Sequence, residues 1–241
     1  MFSFLTSLSL WGTIVNALGV VGGALIGLIA RHFSSNVKKE GRMSGLPDAM
    51  MKGVGLCVML IGITGAIKTE NIMIVIVSMI VGVVIGTLLC LEDGIGKLGD
   101  FIEKKTKGKL GEITNGFVSA SLLFCVGSMA IVGSLNSGLM GDHTMLYAKS
   151  LLDAISAAIF ASTMGWGVVF SAVLVFIYQG VITLAASLLA PVLSTVAINE
   201  MTAVGSLIII ALSLNLLGLT KFKVMNFVPA IFIPILLVLF M

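Results

Sequence analysis

The sequence predicts an all-α, polytopic transmembrane helix bundle of about eight spans. Three observations predict it. The 241 residues are 58% hydrophobic and only 10% charged, where soluble proteins carry roughly 25% charged residues. The mean hydropathy is +1.17. The charges are also grouped, leaving uncharged runs that reach 46 residues between Asp153 and Glu200. So few charges cannot cover the surface of a water-soluble globule this size. That excludes a soluble enzyme, a nucleic-acid binder and a disordered chain. One integral membrane domain over 1–241 remains, because the polar tract 92–112 is too short to be a second domain.

The spans follow from the charge spacing, since crossing the hydrocarbon takes roughly 20 apolar residues. Arg31 is the first charge, so span one is expected near 10–30. The opening residues lack a positive segment and a small-residue cleavage site, so no cleaved signal peptide is expected. Span two is the run of 15 uncharged residues between Lys52 and Lys68. It reaches only about 22 Å, so both lysines must snorkel. Span three is 71–91 and span four 113–135. The 46-residue run is twice too long for one crossing, and Gly165-Trp166-Gly167 is its natural turn. Spans five and six are then 147–164 and 167–189. Pro191 interrupts the chain. Span seven is 200–218, or alternatively 191–202 forms a broken, re-entrant element before it. Span eight is 223–241, interrupted by Pro229 and Pro234.

Orientation follows the positive-inside rule. The loops after spans one, three and seven carry the lysine and arginine clusters, Arg31 to Lys52, Lys97 to Lys109, and Lys221 with Lys223. An even count puts all three in the cytoplasm and both termini outside. Within 92–112, Ile95, Leu98, Phe101 and Ile102 share one helical face opposite lysines, the pattern of an amphipathic helix lying on the interface.

Small residues recur at four-residue spacing in Gly19, Gly23 and Gly27, and again in Gly82 and Gly86. In lipid, helices gain nothing hydrophobic by associating, so close backbone approach over such residues holds them together. Ser150, Ala154, Ala157, Ala158 and Ala161 form a matching face. These faces exceed what eight helices need, which points to a homodimer. The segments 150–160 and 223–233 also echo each other, with Asp153 opposite Asn226, and duplicated helical hairpins are one reading. Cys57, Cys90 and Cys125 form no paired motif and read as small packing residues.

Candidate functional residues are the polar groups at membrane depth, where a charge costs roughly 2.5 to 3.5 kcal/mol. Asp153 lies one turn inside span five, at i+4 from Lys149. It either pairs with that lysine or faces a wet cavity. Glu200 either caps a solvated helix start or lines a pathway with Asn199. Ser128, Asn136, Gln179 and Asn215 extend the candidate solute path, and the glycines of 125–142 point to helices that unwind there. Conduction requires both acids to be held away from bulk solvent. No catalytic constellation, cofactor motif or metal cluster is visible, and His32 and His143 fall at opposite faces. The expectation is therefore no enzyme, no cofactor and no metal.

Four stretches carry a family resemblance: GTIVNALGVVGGALIGL (12–28), 118–172, YQGVITL (178–184) and NEMTAVGSLIIIALSLNLL (199–217). They resemble the YqgA/YdfK family of bacterial membrane proteins along essentially the whole chain. The resemblance implies a bacterial inner-membrane location. It also implies a general assignment to transport without an established activity, and a link to biofilm formation. The expected partners are the lipid bilayer, a small solute or monovalent cation and a second copy of the chain. The alternative is a membrane scaffold or regulator acting through protein contacts.

Overall fold

A computed structural model describes residues 9–37, 46–94, 97 and 113–240. The expected interfacial helix within 92–112 falls almost wholly outside the described residues. The chain is an all-α membrane bundle. Five helices are long and apolar enough to cross a bilayer: α1 (Trp11–Val37), α2 (Leu46–Ala66), α6 (Thr144–Met164), α7 (Gly167–Leu184) and α9 (Thr195–Leu216). A sixth crossing is made if α4 (Thr114–Cys125) and α5 (Ser128–Met140) count as one, although they meet at a 61° bend. Two shorter apolar segments stand outside that count, against the eight spans expected. One is α3 (Ile72–Leu88). The other is a 3₁₀ stretch, Val224–Phe232, running into α10 (Ile233–Leu239). Short α8 (Ala186–Leu189) follows α7.

Local chemistry sets several boundaries. Asn71 caps α3 by accepting the amide of Met73, and Ser194 caps α9 by accepting that of Ala197. At the expected turn, Gly165 adopts φ 80°, and a Cβ there would also run into the Arg31 guanidinium. In the last segment Pro229 sits inside a nine-residue 3₁₀ run. That form rises about 2.0 Å per residue against 1.5 Å for an α-helix. Sixteen residues therefore reach about 28 Å, close to the hydrocarbon thickness of about 30 Å.

Two expectations are corrected here. Span four is not one helix: it breaks at Val126 and Gly127, where Gly127 takes φ 128°. The 191–202 stretch is not re-entrant, because α9 starts at Thr195 and runs unbroken through it.

α9 is the most enclosed span, with 67% of it buried against 22% for α2. It packs antiparallel to α2 through Gly62 and Gly65, which lie on Ile210 and Ser206. The expected glycine seams are both present. Gly19, Gly23 and Gly27 of α1 lie against Ser150, Ala154 and Ala158 of α6, so these helices run parallel. Gly82 and Gly86 of α3 lie against Ala230 and Asn226, an antiparallel pair. A rotation conserves the relative direction of two helices, so the two pairs are not copies of one unit. The echo between 150–160 and 223–233 reflects a shared demand for small residues against glycine. All five seam glycines are taken up inside the chain. Cys57 and Cys90 are exposed, contrary to the packing role expected of them, and Cys125 is half-buried beside the α4 break.

A polar cavity at a broken helix

Helix α6 begins at Thr144, earlier than expected, so Asp153 lies nine residues inside it. By helical rise that is about 14 Å, close to half the hydrocarbon thickness. Asp153 is 6% exposed and Lys149 equally so. The lysine ammonium donates to Asp153 Oδ1 at 2.8 Å and Oδ2 at 2.7 Å. The Asn16 side-chain amide of α1 donates to the same Oδ2 at 3.1 Å. The parallel seam puts Asn16 there, and Ser150 locks the register by donating to the Val15 carbonyl at 3.0 Å.

A cavity of about 360 Å³ opens beside this pair. Lys149, Asp153 and Ser156 of α6 form one wall, and Thr202, Ser206 and Ile209 of α9 another. Thr64, Gly65 and Lys68 line it from the end of α2, and the exposed Ile61 and Leu152 mark where it opens to the outside of the bundle. The helix break supplies the last wall: Leu123, Val126, Gly127, Met129 and Ala130 line it. Breaking a helix exposes amides at the start of one half and carbonyls at the end of the other, which only protein, ligand or water can satisfy. Gly127 has no side chain to cap α5. Burying an ion pair gives no dependable stability, since desolvation offsets the attraction. At membrane depth such a pair is a candidate functional site.

The other expected path residues do not gather here. Glu200 is fully buried, not a solvated helix start, and accepts from Thr69 Oγ1 at 2.6 Å and from the amides of Glu70 and Asn71 at 2.7 and 2.9 Å. It thereby ties the α2–α3 connection to α9. Asn199 beside it donates to Glu70 at 2.8 Å. Asn215 closes the turn after α9, donating to the Phe222 carbonyl and accepting from Thr220 and Phe222. Asn136 lies in the last turns of α5, and its carbonyl accepts the Gly141 and Asp142 amides. Gln179 of α7 is fully buried, and its amide finds no partner among the described residues. Ser128 opens α5 at the break itself. Sequence reasoning left Lys68 and Ser206 out of the path and reached Thr202 only as the end of the 191–202 element. Lys68 read as a snorkelling end, and a lone hydroxyl in an apolar helix carries no signal.

Two further cavities flank α4. One of about 260 Å³ is almost entirely apolar and shares Val126 with the polar cavity. The other, about 270 Å³, lies at the basic end around Glu92, Asn115 and Asn215, and shares Val118 with the apolar one. Among the described residues no group of His, Cys, Asp and Glu could hold a metal ion.

Comparison with known proteins agrees with the membrane fold. The chain is 34% identical over 229 residues to "Uncharacterized membrane protein YdfK" of Bacillus subtilis, covering 93% of this chain and 94% of that one. It is 29% identical over 225 residues to "Uncharacterized protein YqgA" of Escherichia coli, covering 91% and 92%. No solved structure matches. A family model described as "Protein of unknown function (DUF554)" matches residues 11–239, and the chain belongs to that family.

Proposed function

We propose that this protein moves a small solute across the bacterial inner membrane, with the basic loops in the cytoplasm. The observation that carries the reading is the Lys149–Asp153 pair. It is buried at mid-depth, yet it walls a cavity of about 360 Å³ at a helix break. A pair serving only to staple α6 needs no cavity. Unwound backbone, a charged pair and hydroxyl-bearing helices around one mid-depth space are the parts of a transporter binding site. The three cavities all border α4 or its break, and neighbouring ones share Val126 and Val118 as lining residues. On this reading the two shared valines are the barriers a solute would have to pass.

The test is solute flux into proteoliposomes carrying the full chain, with empty liposomes as the leak control. Uptake that drops in Lys149→Gln/Asp153→Asn, a variant that removes both charges together, supports the proposal. Absence of uptake across a panel of ions and small metabolites overturns it. The scaffold reading then takes its place, and the closed pair becomes a staple between α1 and α6.

A further inference from the structure

The cavity has a charge inventory, and it is not that of a cation site. Its walls carry Lys68, Lys149 and Asp153, a formal sum of +1. Both oxygens of Asp153 are engaged by Lys149, and Oδ2 also accepts from Asn16. A cation would have to displace an ammonium already at 2.7 Å. An anion need displace nothing. The Lys149 ammonium has three N–H groups and two point at Asp153, which leaves one. The Lys68 ammonium has no ion-pair partner among the described residues. The α5 start adds uncapped amides and the positive end of a helix dipole. Apolar side chains of Leu123 and Ile209 face the same space, which suits a short hydrocarbon portion.

We infer that the solute is a small organic anion, a short carboxylate held by Lys68 and Lys149 with its hydrocarbon part on Leu123 and Ile209. This rests on the transport reading for its setting, but binding and flux can fail separately. The polar head lies between two ammonium groups and the α5 amides. Asp153 holds Lys149 in place and weakens its charge.

Thermal unfolding of the full chain in lipid nanodiscs tests the assignment. Lactate, its uncharged isostere lactamide, and sodium and potassium chloride are titrated at matched ionic strength. Lactate is expected to stabilise saturably, and lactamide and the two chlorides are not. Lys68→Gln, at an exposed position, weakens half-saturation about tenfold, the loss of one hydrogen bond between charged groups. Asp153→Asn frees Lys149 and tightens lactate binding, whereas at a cation site it abolishes binding. Equal stabilisation by lactamide overturns the inference, as does saturable stabilisation by sodium or potassium alone. Lactate binding without uptake of lactate or of any other solute in the panel leaves the anion assignment standing and removes the transport reading. Cation uptake without lactate binding does the reverse.

Discussion

Glu200 Oε1 accepts the backbone amides of both Glu70 and Asn71, at 2.7 and 2.9 Å, while Oε2 takes the Thr69 hydroxyl. One side chain of α9 thus satisfies the start of α3. Glu200→Ala leaves two amides without their acceptor and is expected to cost about 2 to 3 kcal/mol. Glu200→Gln keeps one oxygen in place for both amides and should lose less than half of that. Thermal unfolding of both variants checks the order. Equal loss in the two, or loss of flux at unchanged stability, would move Glu200 from this tie to the solute path.

Adjacent glycines of α1 have opposite surroundings. A methyl group on Gly23 overlaps the Ala154 backbone, while one on Gly22 meets nothing. Gly23→Ala must push α1 off α6 and is expected to destabilise by about 1 to 3 kcal/mol, the usual penalty of overpacking. Gly22→Ala meets no obstacle and gains helix propensity, so it should be neutral or stabilising by up to about 1 kcal/mol. The two variants compared by thermal unfolding in one detergent measure the seam directly.

Lys149 and Asp153 should show strong coupling. Removing one partner leaves the other charge buried alone, at a cost of about 3 to 5 kcal/mol. Removing both leaves no uncompensated charge. Lys149→Gln and Asp153→Asn are each expected to destabilise more than the double variant does. A double-mutant cycle by chemical denaturation gives the coupling energy. Simple additivity would mean that the cavity solvates each charge well enough to stand alone.

Much of the architecture was legible because lipid restricts the options. Charge spacing located the crossings, and four-residue glycine spacing located the seams, since only close backbone approach holds helices in hydrocarbon. The Lys149–Asp153 pair was visible in its i, i+4 spacing. The cavity was not. It joins residues from α2, α4, α5, α6 and α9, and nothing local says that Lys68 and Ser206 meet across them. Glu200 was misread for a related reason: its partners are backbone amides 130 residues away, and backbone groups have no sequence signature. The break at Gly127 was half legible, in the glycines around it, while the single span expected over 113–135 hid it.

Val126 stands between two cavities of opposite character. It lines both the polar cavity beside Asp153 and the apolar one beside Cys125, and its side chain packs on Gly205 of α9. Trimming it should join the two spaces. The native Cys125 reports this, once the exposed Cys57 and Cys90 are replaced by alanine. In that background Cys125 is expected to react slowly with a small charged thiol reagent added from the polar side. Val126→Ala should raise the rate several-fold, because it removes two methyl groups from a side chain that lines both spaces. Gly205→Ala pushes on the Val126 side chain and should alter the rate without touching either polar wall. Val126→Ala is expected to destabilise by about 1 kcal/mol per methylene removed, and Gly205→Ala by about 1 to 3 kcal/mol through overpacking. If the labelling rate ignores Val126 and follows Val118 instead, the barrier lies nearer the basic end, between the apolar cavity and the space around Glu92.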